Sequence, residues 1–121
     1  MKLEKLVETA NHNHVCYDLL EEAFRAATMC AKRYERWMAR TSGSCWINGK
    51  PITVTDSTEE LYEKTVHWAE RTISAMEKLR KEFDLRYDRF YDFSDSGEKV
   101  ELALTFELEM SEICYKSACS R

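Results

Sequence analysis

Leu3, Leu6, Ala10, Asn13, Tyr17, Leu20, Phe24, Ala27, Ala31, Tyr34 and Met38 recur at alternating spacings of three and four. That pattern belongs to a long helix committed to a helical partner. It returns at Tyr62, Val66, Ala69, Ile73, Met76, Arg80, Phe83, Tyr87 and Phe90. The two runs predict helices over 3–41 and 57–92, folded back on each other as a long antiparallel hairpin. Cys16, Ala23, Cys30 and Trp37 flank the first seam. A stripe that wide expects a third element or a second chain against it.

Between the runs the periodicity changes. Asn48-Gly49 is the dipeptide that best tolerates positive φ at both centres of a tight turn, and Trp46, Ile47, Ile52, Thr53 and Val54 flank it. This predicts a small β-hairpin over 44–55 at the tip of the helical pair. Pro51 cannot donate to a ladder, so the second arm is expected to be an edge or only partly paired. The helices are punctuated as expected: Gly43 follows the first, and Ser57 with Glu60 forms a capping box for the second.

The segment 98–118 carries two patterns. Val100, Leu102, Leu104, Phe106, Leu108 and Met110 alternate with more polar residues, as in a strand. Glu98, Glu101, Thr105, Glu109, Glu112 and Lys116 also fall on one helical stripe, and the composition is of helix formers. A C-terminal helix is expected, with a β-strand and an α+β fold as the alternative. The whole chain, 1–121, reads as a single, mainly α domain. An apolar arc that broad on the last helix makes a homodimer the expectation.

Composition adds limits. With three glycines and one proline in 121 residues, long irregular connections are not expected. A net charge of −4 with mixed signs supplies no global field for nucleic acid or an anionic membrane. Five cysteines without a Cys-x-x-Cys pair suggest a reducing compartment, and no signal-like or membrane-spanning stretch stands out. The expected location is the cytoplasm.

The candidate chemistry is thin. His12, His14, Cys16, Cys114 and Cys119 lack zinc-site spacing, and Glu63, His67 and Glu70 read as a helix surface. Glu60/Glu63, Glu98/Glu101 and Glu109/Glu112 would hold magnesium only if they converged. Arg33, Tyr34, Arg36, Trp37 and Arg40 form one arginine–aromatic cluster, and Arg86, Tyr87, Arg89, Phe90 and Tyr91 another. Such clusters can grip nucleic acid. They are explained as well by core aromatics and by ion pairs to Glu59, Glu60 and Glu63, or to Glu4 and Glu8. Asn13, Arg80 and Glu107 fall on apolar stripes and are expected to form a buried polar network.

The reading is of a non-enzymatic interaction module, an inhibitor or adaptor of the kind a phage or mobile element carries. It needs no cofactor or metal, and its partner is another protein. Trp37, Arg40, Trp46, Ile47 and Lys50 are the expected contacts, because aromatic and arginine side chains commonly anchor interfaces. A nucleic-acid or nucleotide binder and a metal-dependent helical phosphohydrolase are the alternatives.

Overall fold

The computed structural model describes residues 1–41, 46–47, 50–51, 57–90 and 95–119. Four helices dominate: α1 (Leu3–Ala10), α2 (His14–Thr41), α3 (Thr58–Phe83) and α4 (Ser96–Cys119). No helix among the described residues is long and apolar enough to cross a membrane.

The predicted first helix is two helices. The chain turns at 11–13, and the Asn13 side chain accepts from the amides of Val15 (3.0 Å) and Cys16 (3.3 Å). Asn13 is therefore an exposed N-cap of α2 rather than a buried seam residue. The reason is the asparagine preference for this position, where its short side chain satisfies amides that have no partner within the helix.

Restarting the helix also turns its buried stripe. Tyr17 and Met38, expected in the seam, are 47% and 44% exposed, whereas Cys16, Leu20, Ala23, Ala27 and Cys30 are buried. The flank of the repeat has become its centre. α3 is rotated in the same sense, burying Leu61, Thr65, Ala69, Thr72, Ala75, Met76 and Leu79. Most of these side chains are small, which lets two backbones approach closely. The two buried threonines are satisfied within their own helix, Thr65 Oγ1 donating to Leu61 O (2.8 Å) and Thr72 Oγ1 to Trp68 O (2.9 Å). Across the interface the Cys30 thiol donates to Thr65 O at 3.4 Å. Trp37 meets Tyr62 near one end, and Ala23 and Ala27 share a cluster with Ala75 and Leu79 towards the other. α2 and α3 are thus antiparallel.

α3 ends at Phe83, not near residue 92. Asp84 adopts the left-handed conformation (φ 56°), its amide bonding to Arg80 O, while the Leu85 amide reaches Leu79 O at 3.3 Å. Aspartate is among the few residues that tolerate this backbone, and it closes the helix where glycine would be usual. The heptad continues to Phe90 because Leu85, Tyr87 and Phe90 are still buried, now from irregular chain.

α4 settles the ambiguity of the last segment in favour of helix; the strand alternative is not what forms. Phe106 is fully buried while Leu108 is 63% exposed. A strand would place these two on one face, and a helix separates them by about 200°. Tyr62 Oη lies 2.9 Å from Ser96 Oγ near the start of α4, and Tyr87 packs edge-on against Phe106 at 5.8 Å further along. α4 therefore runs parallel to α3. Val100 and Ala103 cover Cys30 and Ala69; Leu102, Phe106 and Met110 join Leu3, Leu6, Tyr87 and Phe90. The broad arc that suggests a second copy is covered largely by the chain itself.

Of the β-hairpin expected over 44–55, the described residues are two short strands, β1 (Trp46–Ile47) and β2 (Lys50–Pro51). They pair antiparallel, with Trp46 opposite Pro51 and Ile47 opposite Lys50. Pro51, lacking an N–H, suits the end of a ladder. The remainder of 44–55 lies outside the described residues.

Two substitutions on neighbouring α4 positions read out its helical phase. Phe106→Ala should cost about 3–5 kcal/mol in denaturant unfolding. Leu108→Ala should stay within about 0.5 kcal/mol; similar losses at both would contradict the helix. Asn13→Ala should lower stability by about 1 kcal/mol through loss of the cap. A loss of several kcal/mol there would instead indicate a buried role.

Candidate functional site

The end of the bundle carrying β1 and β2 is built on an aromatic stack. Tyr34 and Trp37 stand 5.9 Å apart between ring centroids, and Trp37 and Tyr62 stand 5.3 Å apart, tilted by 46° and 50°. Tyr62 continues to Ser96, so α2, α3 and α4 are tied together at this end. Trp37 is half-buried within the stack and serves as its middle member. Arg36 and Arg40 are exposed beside it, and Met38 is also exposed. Of the expected contacts, Trp37 and Arg40 therefore lie at this end of α2, and the backbones of Trp46, Ile47 and Lys50 lie in the ladder.

The expected ion pairs to Glu59, Glu60 and Glu63 are not what holds the arginines here. No carboxylate among the described residues lies within 4.0 Å of Arg33, Arg36 or Arg40, and Arg33 Nε is buried without a hydrogen-bond partner. The helix termini themselves supply part of the electrostatics, since cations suit the C-terminal end of a helix.

Arg80 and Glu107 do not meet. Arg80 is half-buried, 3.8 Å from Glu77 on its own helix, with its Nε buried and unbonded. Glu107 accepts from Ser111 Oγ at 3.1 Å. The rotation of the α3 stripe explains this: Leu79 takes the buried position and leaves Arg80 at the margin. The expected network of Asn13, Arg80 and Glu107 is replaced by three separate local arrangements.

Periodicity gives no hint of the polar cluster that does join distant parts of the chain. The buried Tyr87 hydroxyl donates to Glu109, whose other oxygen accepts from Arg89 Nε at 2.8 Å. Arg89, expected beside Glu4 and Glu8, finds its carboxylate partner on α4 instead. Burial first, then the hydrogen bond to Glu109 and its negative charge, push the Tyr87 phenol well above its usual value near 10. These residues border an open groove of about 470 Å³ that Lys2, Glu4, Glu112 and Ile113 also line. The signal in the sequence is slight: an arginine and an aromatic just past an aspartate that can stop a helix.

The remaining candidates do not converge. His12 lies in the turn before α2 and is exposed, whereas Cys16 is buried on α2, so they do not share a helix face. Burial also pushes the Cys30 thiol up to about 12. Glu60, Glu63, Glu98 and Glu101 are exposed. Among the described residues, no three His, Cys, Asp or Glu side chains are grouped so as to hold a metal. No family model matches the chain, and no curated protein or solved structure matches it.

The Tyr87 environment has a pH consequence. A phenol whose folded pKa is raised holds its proton after the unfolded chain has released it, so its contribution is complete below about pH 10 and declines above it. Thermal stability should therefore fall in strong alkali, and Tyr87→Phe should flatten the part of that fall beginning near pH 10. An identical alkaline slope in the two proteins would exclude this origin.

Proposed function

We propose that the protein is a non-enzymatic interaction module, an inhibitor or adaptor that binds another protein through the end of the bundle carrying the β1–β2 ladder. The observation that supports this most is the anchored stack Tyr34–Trp37–Tyr62 with exposed Arg36, Met38 and Arg40 around it. A rigid base flanked by methionine and arginine has the composition found at protein interfaces. The ladder adds backbone groups with no third strand paired to them among the described residues, and unpaired edges favour strand addition or side-on docking. Free thiols at Cys16, Cys30 and Cys114 are in keeping with a cytoplasmic setting.

The nucleic-acid reading has weaker support. Tyr87 and Phe90 are buried, so these two rings of the second arginine–aromatic cluster offer no open face for a base to stack on. In the first cluster the tryptophan is flanked by two tyrosines. A phosphohydrolase reading would require inward carboxylates, and Glu98 and Glu101 are exposed.

The test is affinity capture from native lysate with identification of the captured protein, followed by direct binding of that purified partner. Arg40→Ala and Trp46→Ala should each weaken binding by about tenfold or more, as interface anchors do. Unchanged affinity in both, with helical content intact, would refute the proposed surface.

A further inference from the structure

One stripe of α2 carries its charges symmetrically about a central residue. Asp18, Glu22, Arg25, Met29, Arg33, Arg36 and Arg40 follow one another at spacings of four, three, four, four, three and four, so they share one face of the helix. The spacings read the same from either end, with Met29 at the centre. Carboxylates occupy one outer third and guanidinium groups the other. Asp18, Glu22, Arg36 and Arg40 are exposed, and none has an oppositely charged group within 4.0 Å among the described residues. The helix dipole favours acids at the start and bases at the end, but it acts within about a turn of each terminus. Glu22 and Arg36 lie further in than that.

An open groove of about 450 Å³ runs beside the stripe from Asp18 to Met29, and α2 and α3 line it. Ala26, Met29 and Trp68 give it an apolar part, with Arg71 over the Trp68 ring at 5.3 Å from the centroid. Asp18, Glu21 and Glu22 give it an acidic part.

The division of charge selects the occupant. A helix of one sign, or a polyanion such as nucleic acid, would match one outer third and be opposed by the other. A second copy, turned antiparallel about a twofold axis at Met29, presents the opposite charge at both ends. Asp18 then faces Arg40 and Glu22 faces Arg36, twice over, while Met29 meets its own counterpart. The basic third of each copy lies along the acidic groove of the other. Arg25 falls opposite Arg33, but Glu21 already holds Arg25 at 2.5 Å. Arg33, whose Nε is buried without a hydrogen-bond partner, comes within one turn of the position that Glu22 of the other copy faces.

We propose that α2 joins two copies of this chain as an antiparallel pair, with apolar contact at Met29 and Trp68 and ion pairs on either side of it. Exposed ion pairs contribute little individually, so the apolar centre supplies affinity and the charges set orientation and register. Such an interface is isologous, each copy offering the same patch. Arg36 and Arg40 also border the ladder, so pairing and partner binding would compete for them; the proposal does not rest on the reading of that end.

The test is a charge exchange on the full chain, read by sedimentation across a concentration series. Wild type should form dimers that weaken as salt is raised. Asp18→Arg/Glu22→Arg makes both outer thirds basic, and Arg36→Glu/Arg40→Glu makes both acidic. Each variant alone should self-associate about tenfold more weakly or worse, because facing positions then repel. Mixed in equal amounts the two should recover dimers of wild-type strength, since every outer pair is again opposite in sign. Met29→Asp should weaken wild-type pairing by about tenfold or more. The proposal is overturned if wild type is monomeric at every concentration, if any of the three variants associates as wild type does, or if the mixture fails to recover. No partner protein is present in this assay, so its failure is distinct from failure of the capture experiment. Circular dichroism verifies that the helices persist in each variant.

Discussion

Because α3 and α4 run in the same direction, the chain must travel back along the bundle between them, and the architecture depends on how that return is held. A tight turn would have produced an antiparallel neighbour. Instead Asp84 stops α3 in a left-handed conformation, and Leu85, Tyr87 and Phe90 are buried in irregular backbone that lies against α4. Irregular chain cannot satisfy its own polar groups as a helix does. Side chains fix this stretch in part, since Tyr87 and Arg89 both bond to Glu109 and Arg86 reaches the Phe90 carbonyl at 3.5 Å. Tyr87 is both a core ring against Phe106 and a donor to α4, so packing and polar fixation converge on one residue.

The closeness of α2 and α3 follows from a different constraint. Alanine, cysteine and threonine dominate their shared face, so the helices gain less from large side-chain burial than from dense backbone approach. The threonines remain compatible with that dry face because each hydroxyl bonds to a carbonyl four residues earlier. Among the larger rings, Tyr34, Trp37 and Tyr62 gather at one end and Tyr87, Phe90 and Phe106 form a second group, with Trp68 packed beside Cys30 and Ala69 between them. The polar and apolar surfaces most suited to recognition are consequently set on a stiff middle.

Much of the helical content is legible in the sequence, and its limits are instructive. The three–four spacing locates α2 and α3, while the wide flank at Cys16, Ala23, Cys30 and Trp37 leaves a third element or a second chain open; Cys16, Ala23 and Cys30 turn out to sit in the core that α2 shares with α3 and α4. The same spacing cannot reveal where helix gives way to other backbone. Asn13 keeps the repeat while acting as a cap, and Tyr87 and Phe90 keep it while leaving the helix, because burial periodicity survives any backbone that returns side chains to the same core. For α4 the alternating pattern is real, yet Leu108 of the apolar set is exposed while Ala103 of the intervening set is fully buried, as a helix requires and a strand does not. The candidate surface at the ladder is partly legible through Asn48-Gly49 and its flanking residues. The Tyr87–Glu109–Arg89 cluster is not, since its members are far apart in the chain and meet only through the return path.

The break between α1 and α2 bears on the order in which the fold assembles. The α2–α3 pairing is comparatively local, whereas Leu3 and Leu6 share a core that joins α2 and α3 to α4 and the 85–90 stretch. Eight residues are too few for an autonomous helix in water, so α1 has little reason to persist until that distant surface exists. Part of the surface that holds it therefore comes from residues of high sequence separation. Amide protection in α1 would report the integrity of contacts made nearly a chain length away.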